Sequence, residues 1–134
     1  YFVSNKKDIF NKNIHLVFKD LDIDKMNEAC KYLIGEQDFT SFSKANTDTL
    51  TNSCDITYAK WKKEGDNIVF TISSNRFLRN MVRSIVGTLI DVGTGKIEVE
   101  DIKKIIQKKN RCEAGVSVPA KALFLTQVKY PENI

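Results

Sequence analysis

The 134-residue chain holds a single histidine, His15, and only three cysteines, Cys30, Cys54 and Cys112. The cysteines are odd in number and far apart, so they match neither a zinc spacing nor a disulfide framework and point to a reducing compartment. His15 has no second histidine and no Cys-x-x-Cys near it; a surface position is expected and no metal role is assigned. No apolar run approaches the roughly 20 residues of a membrane helix, and no signal peptide is recognisable. A Gly-rich phosphate loop, a Ser-His-Asp set and a Cys-His set at workable spacing are all missing, as are internal repeats and low-complexity tracts. The chain opens on Tyr1 rather than Met, and a fragment is expected.

What is present suits one globular domain with its own core: 42% hydrophobic and 28% charged residues. The net charge of +4 and pI near 8.9 are compatible with a nucleic-acid partner without demanding one. Residues 1–20 are polar and lysine-rich and read as a linker, or the remnant of a preceding domain, ending in the strand-like Ile14-His15-Leu16-Val17-Phe18. Residues 21–134 read as the domain proper. Asp22 or Asp24 caps a first helix with the stripe Met26, Ala29, Cys30, Leu33 and Ile34, stopped by Gly35. After the aromatic Asp38–Lys44 segment and a polar loop over 45–53, alternation predicts a hairpin. Cys54, Ile56 and Tyr58 face Ile68, Phe70 and Ile72 across Glu64-Gly65-Asp66-Asn67. The apolar phase slips to Ala59 and Trp61, which signals a bulge. A helix from about Glu98 to Lys109 buries Ile102, Ile105 and Ile106, and a strand runs from Ala122 to Tyr130. The order predicts an α+β fold, an antiparallel or mixed sheet with helices packed on one face.

The stretch from Arg76 to Gly93 carries the chemistry. At about 100° per residue, Leu78, Met81, Val82, Ile85, Leu89 and Val92 fall on one side of a helix. Arg76, Arg79, Asn80, Arg83 and Gly87 fall opposite, with almost no acid among them. Arg76 and Arg79 are expected in the first turn, where a cation opposes the helix dipole, and Arg83 in the middle. Gly87 costs about 1 kcal/mol relative to alanine. It is explained if a backbone or ligand comes close there, and an arginine beside such a gap suits bidentate pairing with a carboxylate or phosphate. Asp48 reads as a turn residue in a polar loop, and no pair of acids is placed for acid–base work. The chain on its own offers an arginine face without a nucleophile or base.

Phe77-Leu78-Arg79-Asn80-Met81-Val82-Arg83-Ser84-Ile85-Val86-Gly87-Thr88-Leu89 followed by Asp91-Val92-Gly93 resembles the second-domain signature of the TruA-type tRNA pseudouridine synthases. Arg111–Leu125, Asp38-Phe39-Thr40-Ser41-Phe42 with Lys44, and Val128-Lys129-Tyr130-Pro131 resemble that family's further segments, in its order. Ala122 departs from the family's glycine. The family's catalytic aspartate belongs to a Gly-Arg-Thr-Asp-Ala-Gly-Val-type motif that this chain lacks. The resemblance therefore implies a C-terminal domain alone, inactive without its other half, from an enzyme that isomerises uridine at positions 38–40 of the tRNA anticodon stem-loop. It implies no metal or organic cofactor. Arg83 maps to the residue that pairs with the aspartate, and Leu123 to the apolar wall of the uridine pocket. Arg76, Arg79, Lys44 and Arg111 are the candidates for phosphate contact. Lys103, Lys104, Lys108 and Lys109 read first as a solvated helix face and second as RNA contact. The uridine must leave its stack to react. A cytoplasmic homodimer is expected. The alternative is a free-standing α+β RNA-binding or dimerisation module without chemistry; the aromatic signature of an RRM is missing.

Overall fold

The computed structural model describes residues 1–4, 15–17, 20–43, 52–65, 67–111 and 114–124. Its described strands are β1 (Phe2–Ser4), β2 (His15–Leu16), β3 (Gly35–Asp38), β4 (Ser53–Glu64) and β5 (Asn67–Ser74), and its helices α1 (Ile23–Cys30), α2 (Met81–Gly93) and α3 (Asp101–Lys108). The strands form one sheet in the order β2-β1-β5-β4-β3. Every pairing is antiparallel except β1 with β2, so the sheet is mixed and the fold is α+β as expected.

The β4–β5 hairpin anchors the sheet. Its register slips between Ile56 and Tyr58, at the predicted bulge. The slip keeps apolar groups inward on both sides: Cys54 and Ile56 are buried before it, and Trp61 opposite Phe70 after it. β3 covers β4 only as far as Ile56. Beyond that, Asn27 of α1 takes the place of a neighbouring strand, donating to the Trp61 carbonyl at 3.0 Å and accepting from its N–H at 2.7 Å. A side-chain amide thus closes a strand edge that would otherwise stand open.

Several expectations are corrected. Phe2–Ser4 is an inner strand between β2 and β5, not part of a linker. Val3 and Ser4 of this strand and Tyr1 just before it are buried, a pattern hidden by the polar residues that follow in the sequence. His15 lies in β2, half-buried, with its ring edge-on to Tyr1 at 6.2 Å. Asp22 caps α1 through its carboxylate, and Met26, Ala29 and Cys30 are buried. The helix ends sooner than its stripe suggested, so Ile34 is exposed and extended, leading into a β3 that its polar sequence concealed. Ala120–Ala122 is a 3-10 turn rather than the start of a strand. Residues 125–130 of that expected strand, with Lys44, Asp48 and Cys112, lie outside the described residues. Among the described residues, no helix is long and apolar enough to cross a membrane.

Candidate functional site

The arginine helix begins later than its periodicity implied. Asn80 takes a left-handed conformation, φ 67°, and α2 starts at Met81. Arg76 and Arg79 therefore precede the helix, and Arg83 moves from its middle to its first turn. Gly87, expected on an open polar face, is buried, as are Ser84 and Thr88. The Ser84 hydroxyl donates to the Phe42 carbonyl at 2.5 Å. Thr88 donates to the Ser84 carbonyl at 2.8 Å and accepts from the Gly115 N–H at 2.9 Å.

The covering element is the 114–119 segment. A Cβ on Gly87 would overlap the Val116 carbonyl, and one on Gly115 would meet Asp91 Oδ2 at 2.7 Å and the Thr88 backbone at 3.1 Å. Two glycines thus let a strand-like segment lie directly on a helix. The partner anticipated at Gly87 is the chain's own backbone. The segment is then stitched down along its length. Arg111 donates to the Gly115 carbonyl at 3.0 Å and the Ser117 hydroxyl at 2.9 Å, and Asn80 donates to the same hydroxyl at 2.6 Å.

Arg83 is fixed from both ends. The Val118 N–H donates to its carbonyl at 3.2 Å, and its Nε donates to the Val118 carbonyl at 2.8 Å. Neither Nη nitrogen has a partner among the described residues. A half-buried guanidinium held by Nε alone presents its two terminal nitrogens as a fork, the geometry a carboxylate fits. The Tyr1 phenol adjoins it, donating to the Pro119 carbonyl at 2.7 Å. Burial pushes that phenol up to about 12, against the pull of the Arg83 charge. At neutral pH it is a hydrogen-bond donor and no base. Burial, then the Lys121 charge, holds the His15 imidazole below its ordinary value. Sequence reasoning placed Asn80 on the polar helix face without its partner, and missed Tyr1 and Ser117 as site residues, because each acts through a contact distant in the chain.

The remaining candidates separate. Leu123, 37% exposed, follows the 3-10 turn, and Phe124 beside it meets Phe2 edge-on at 5.4 Å. Arg111 is a brace within the loop rather than an open cation. Arg76 lies near Cys54, whose thiol burial raises and the Arg76 charge lowers. Arg79 is exposed. Among the described residues, no three His, Cys, Asp or Glu side chains gather as a metal site would require. The arrangement offers a directed cation and an apolar rim.

Comparison with known proteins gives a family model described as tRNA pseudouridine synthase, matching residues 29–131. A Parabacteroides distasonis protein named tRNA pseudouridine synthase A is 54% identical over 137 residues, covering all of this chain and 54% of that relative. One of the same name from Bacteroides fragilis is 51% identical, again across the whole chain and 54% of the relative. A Francisella tularensis subsp. novicida namesake is 43% identical over 85% of this chain. The chain spans about half the length of the curated relatives it matches.

Proposed function

The chain belongs to the tRNA pseudouridine synthase family, and on that premise we propose that it supplies the C-terminal half of a cleft in which a tRNA uridine becomes pseudouridine. The observation that carries this reading is Arg83, held by Nε on Val118 with both Nη nitrogens unspent among the described residues. An aspartate from the other half of the enzyme meets that fork. The guanidinium keeps the carboxylate ionised and fixes its direction at the sugar or base. The C1′–N1 bond breaks, the uracil reorients and C1′ rebonds to C5; C5 then gives up its proton to solvent and the freed N1 takes one up, so the nucleotide is isomerised with no redox change and no cofactor enters. Leu123 walls the extruded base. Arg76, Arg79 and Lys44 are carried as phosphate contacts, whereas the bonds of Arg111 to Gly115 and Ser117 support a bracing role instead. Substrate positions 38–40 of the anticodon stem-loop, a homodimer and a cytoplasmic setting follow from the family resemblance.

The test is Arg83→Ala and Arg83→Lys in the full-length enzyme. Tritium release from C5-labelled tRNA falls roughly 10²–10³-fold in both, because lysine offers a point charge where a fork is needed. Binding of tRNA stays within about twofold of wild type, far below the tenfold change that 1.4 kcal/mol would give. Near-normal release would remove Arg83 from the chemistry.

A further inference from the structure

We propose that Asn80 is a positioning residue that sets the direction of the Arg83 guanidinium through Ser117, an inference that rests on the reading of Arg83 just given. Among the described residues, Asn80 and Lys109 are the two non-glycine positions with positive φ. Lys109 sits at the end of α3, where a left-handed residue commonly closes a helix. Asn80 sits at the start of α2, where the residue is normally extended and its side chain caps the first turn.

Asn80 makes no side-chain capping bond, so it forgoes the helix stabilisation that an asparagine in this place normally supplies. Its backbone also occupies a region that asparagine tolerates better than most residues but still at some cost. In exchange its amide reaches 37 residues along the chain to the Ser117 hydroxyl, at 2.6 Å. Arg111, the hydroxyl's other donor, lies in the same loop region, so Asn80 is what ties Ser117 to the start of α2. One residue further on, Val118 pairs with Arg83 in both directions. The left-handed turn aims the amide, the amide holds Ser117, and Ser117 sets the Val118 carbonyl that orients Arg83. Local strain combined with an unspent cap is the pattern that accumulates where geometry serves chemistry.

In the full-length enzyme, Asn80→Gly keeps the left-handed turn and removes the amide, whereas Asn80→Ala removes both. Single-turnover pseudouridine formation falls roughly 10- to 100-fold in Asn80→Gly, with the KM for tRNA and the melting temperature near wild type. Ser117→Ala loses the same factor, and the double variant loses no more than either alone. Asn80→Ala loses more, with a lowered melting temperature. Independently of activity, the Arg83 Nε–H exchanges with solvent faster in Asn80→Gly than in wild type, read by ¹⁵N NMR. Unchanged exchange, or losses that multiply in the double variant, would overturn the proposal. Faster exchange in an enzyme whose turnover ignores Arg83→Ala would leave the clamp standing and sink the reading of Arg83 instead.

Discussion

Arg83 and Arg111 are half-buried and spend guanidinium hydrogens on the 115–118 backbone and hydroxyl, whereas Lys103, Lys104 and Lys108 of α3 stand in solvent. Both regions are cationic, and composition cannot tell them apart. In the first, each arginine has one direction fixed by a carbonyl that is itself fixed by packing on α2. In the second, Lys104 meets Asp101 in an exposed i,i+3 pair at 3.8 Å, of a kind that contributes little. Direction, rather than charge, separates a site from a surface here.

Gly87→Ala is the strongest way to break that contrast. Alanine is the better helix former by about 1 kcal/mol, so propensity alone predicts a gain. The new methyl would overlap the Val116 carbonyl, which is backbone and cannot swing aside. Overpacking of this kind costs about 1–3 kcal/mol, so a net loss is expected in denaturant midpoint. Lifting the segment also frees the Val118 carbonyl from Arg83, and turnover falls far more than stability does. A variant with native midpoint and full tritium release would show that the segment is not held where the structure puts it.

Ser84→Ala acts one turn earlier and more weakly. It removes the donor to the buried Phe42 carbonyl and leaves the Arg83 bonds intact. A cost of about 1–2 kcal/mol is expected, with turnover close to wild type under conditions where the variant is folded. Equal losses of stability in Ser84→Ala and Gly87→Ala, with turnover lost in both, would mean that the two contacts are one cooperative unit.

The two corners of the molecule were unequally legible in the sequence. The α2 core stripe, the β4–β5 hairpin with its bulge and the α3 isoleucines are written in local periodicity, and the structure keeps them. The Ile102, Ile105 and Ile106 face of α3 needs no distant partner to be recognised. The left-handed Asn80 has no such local sign, because what stabilises it is Ser117 far along the chain. For the same reason periodicity carried the helix back over Arg76 and Arg79. Gly87 announced a close approach without naming the approaching group. Phe2–Ser4 is strand because β5 and β2 flank it, and its three residues carry too little pattern to say so. Arg83 was legible from the residues as an arginine beside Gly87 suited to bidentate pairing, and its pairing with an aspartate only through the family motif. Its Nε bond, which makes it a fork, is a fact of tertiary structure.

The smallest expected effect is on the lysine side. Replacing Lys103 and Lys104 together with alanine removes two exposed cations, one of them in an exposed pair with Asp101. Unfolding free energy changes by no more than about 0.5 kcal/mol. If α3 is a solvated face, the slope of log affinity for tRNA against log salt is unchanged, since counterions are released only where phosphates are neutralised. A lysine that does touch phosphate lowers that slope by about one when it is removed. A fall of about two in the double variant would therefore assign α3 to the tRNA track. The contrast would then become one between cations that orient a reacting group and cations that hold the backbone near it.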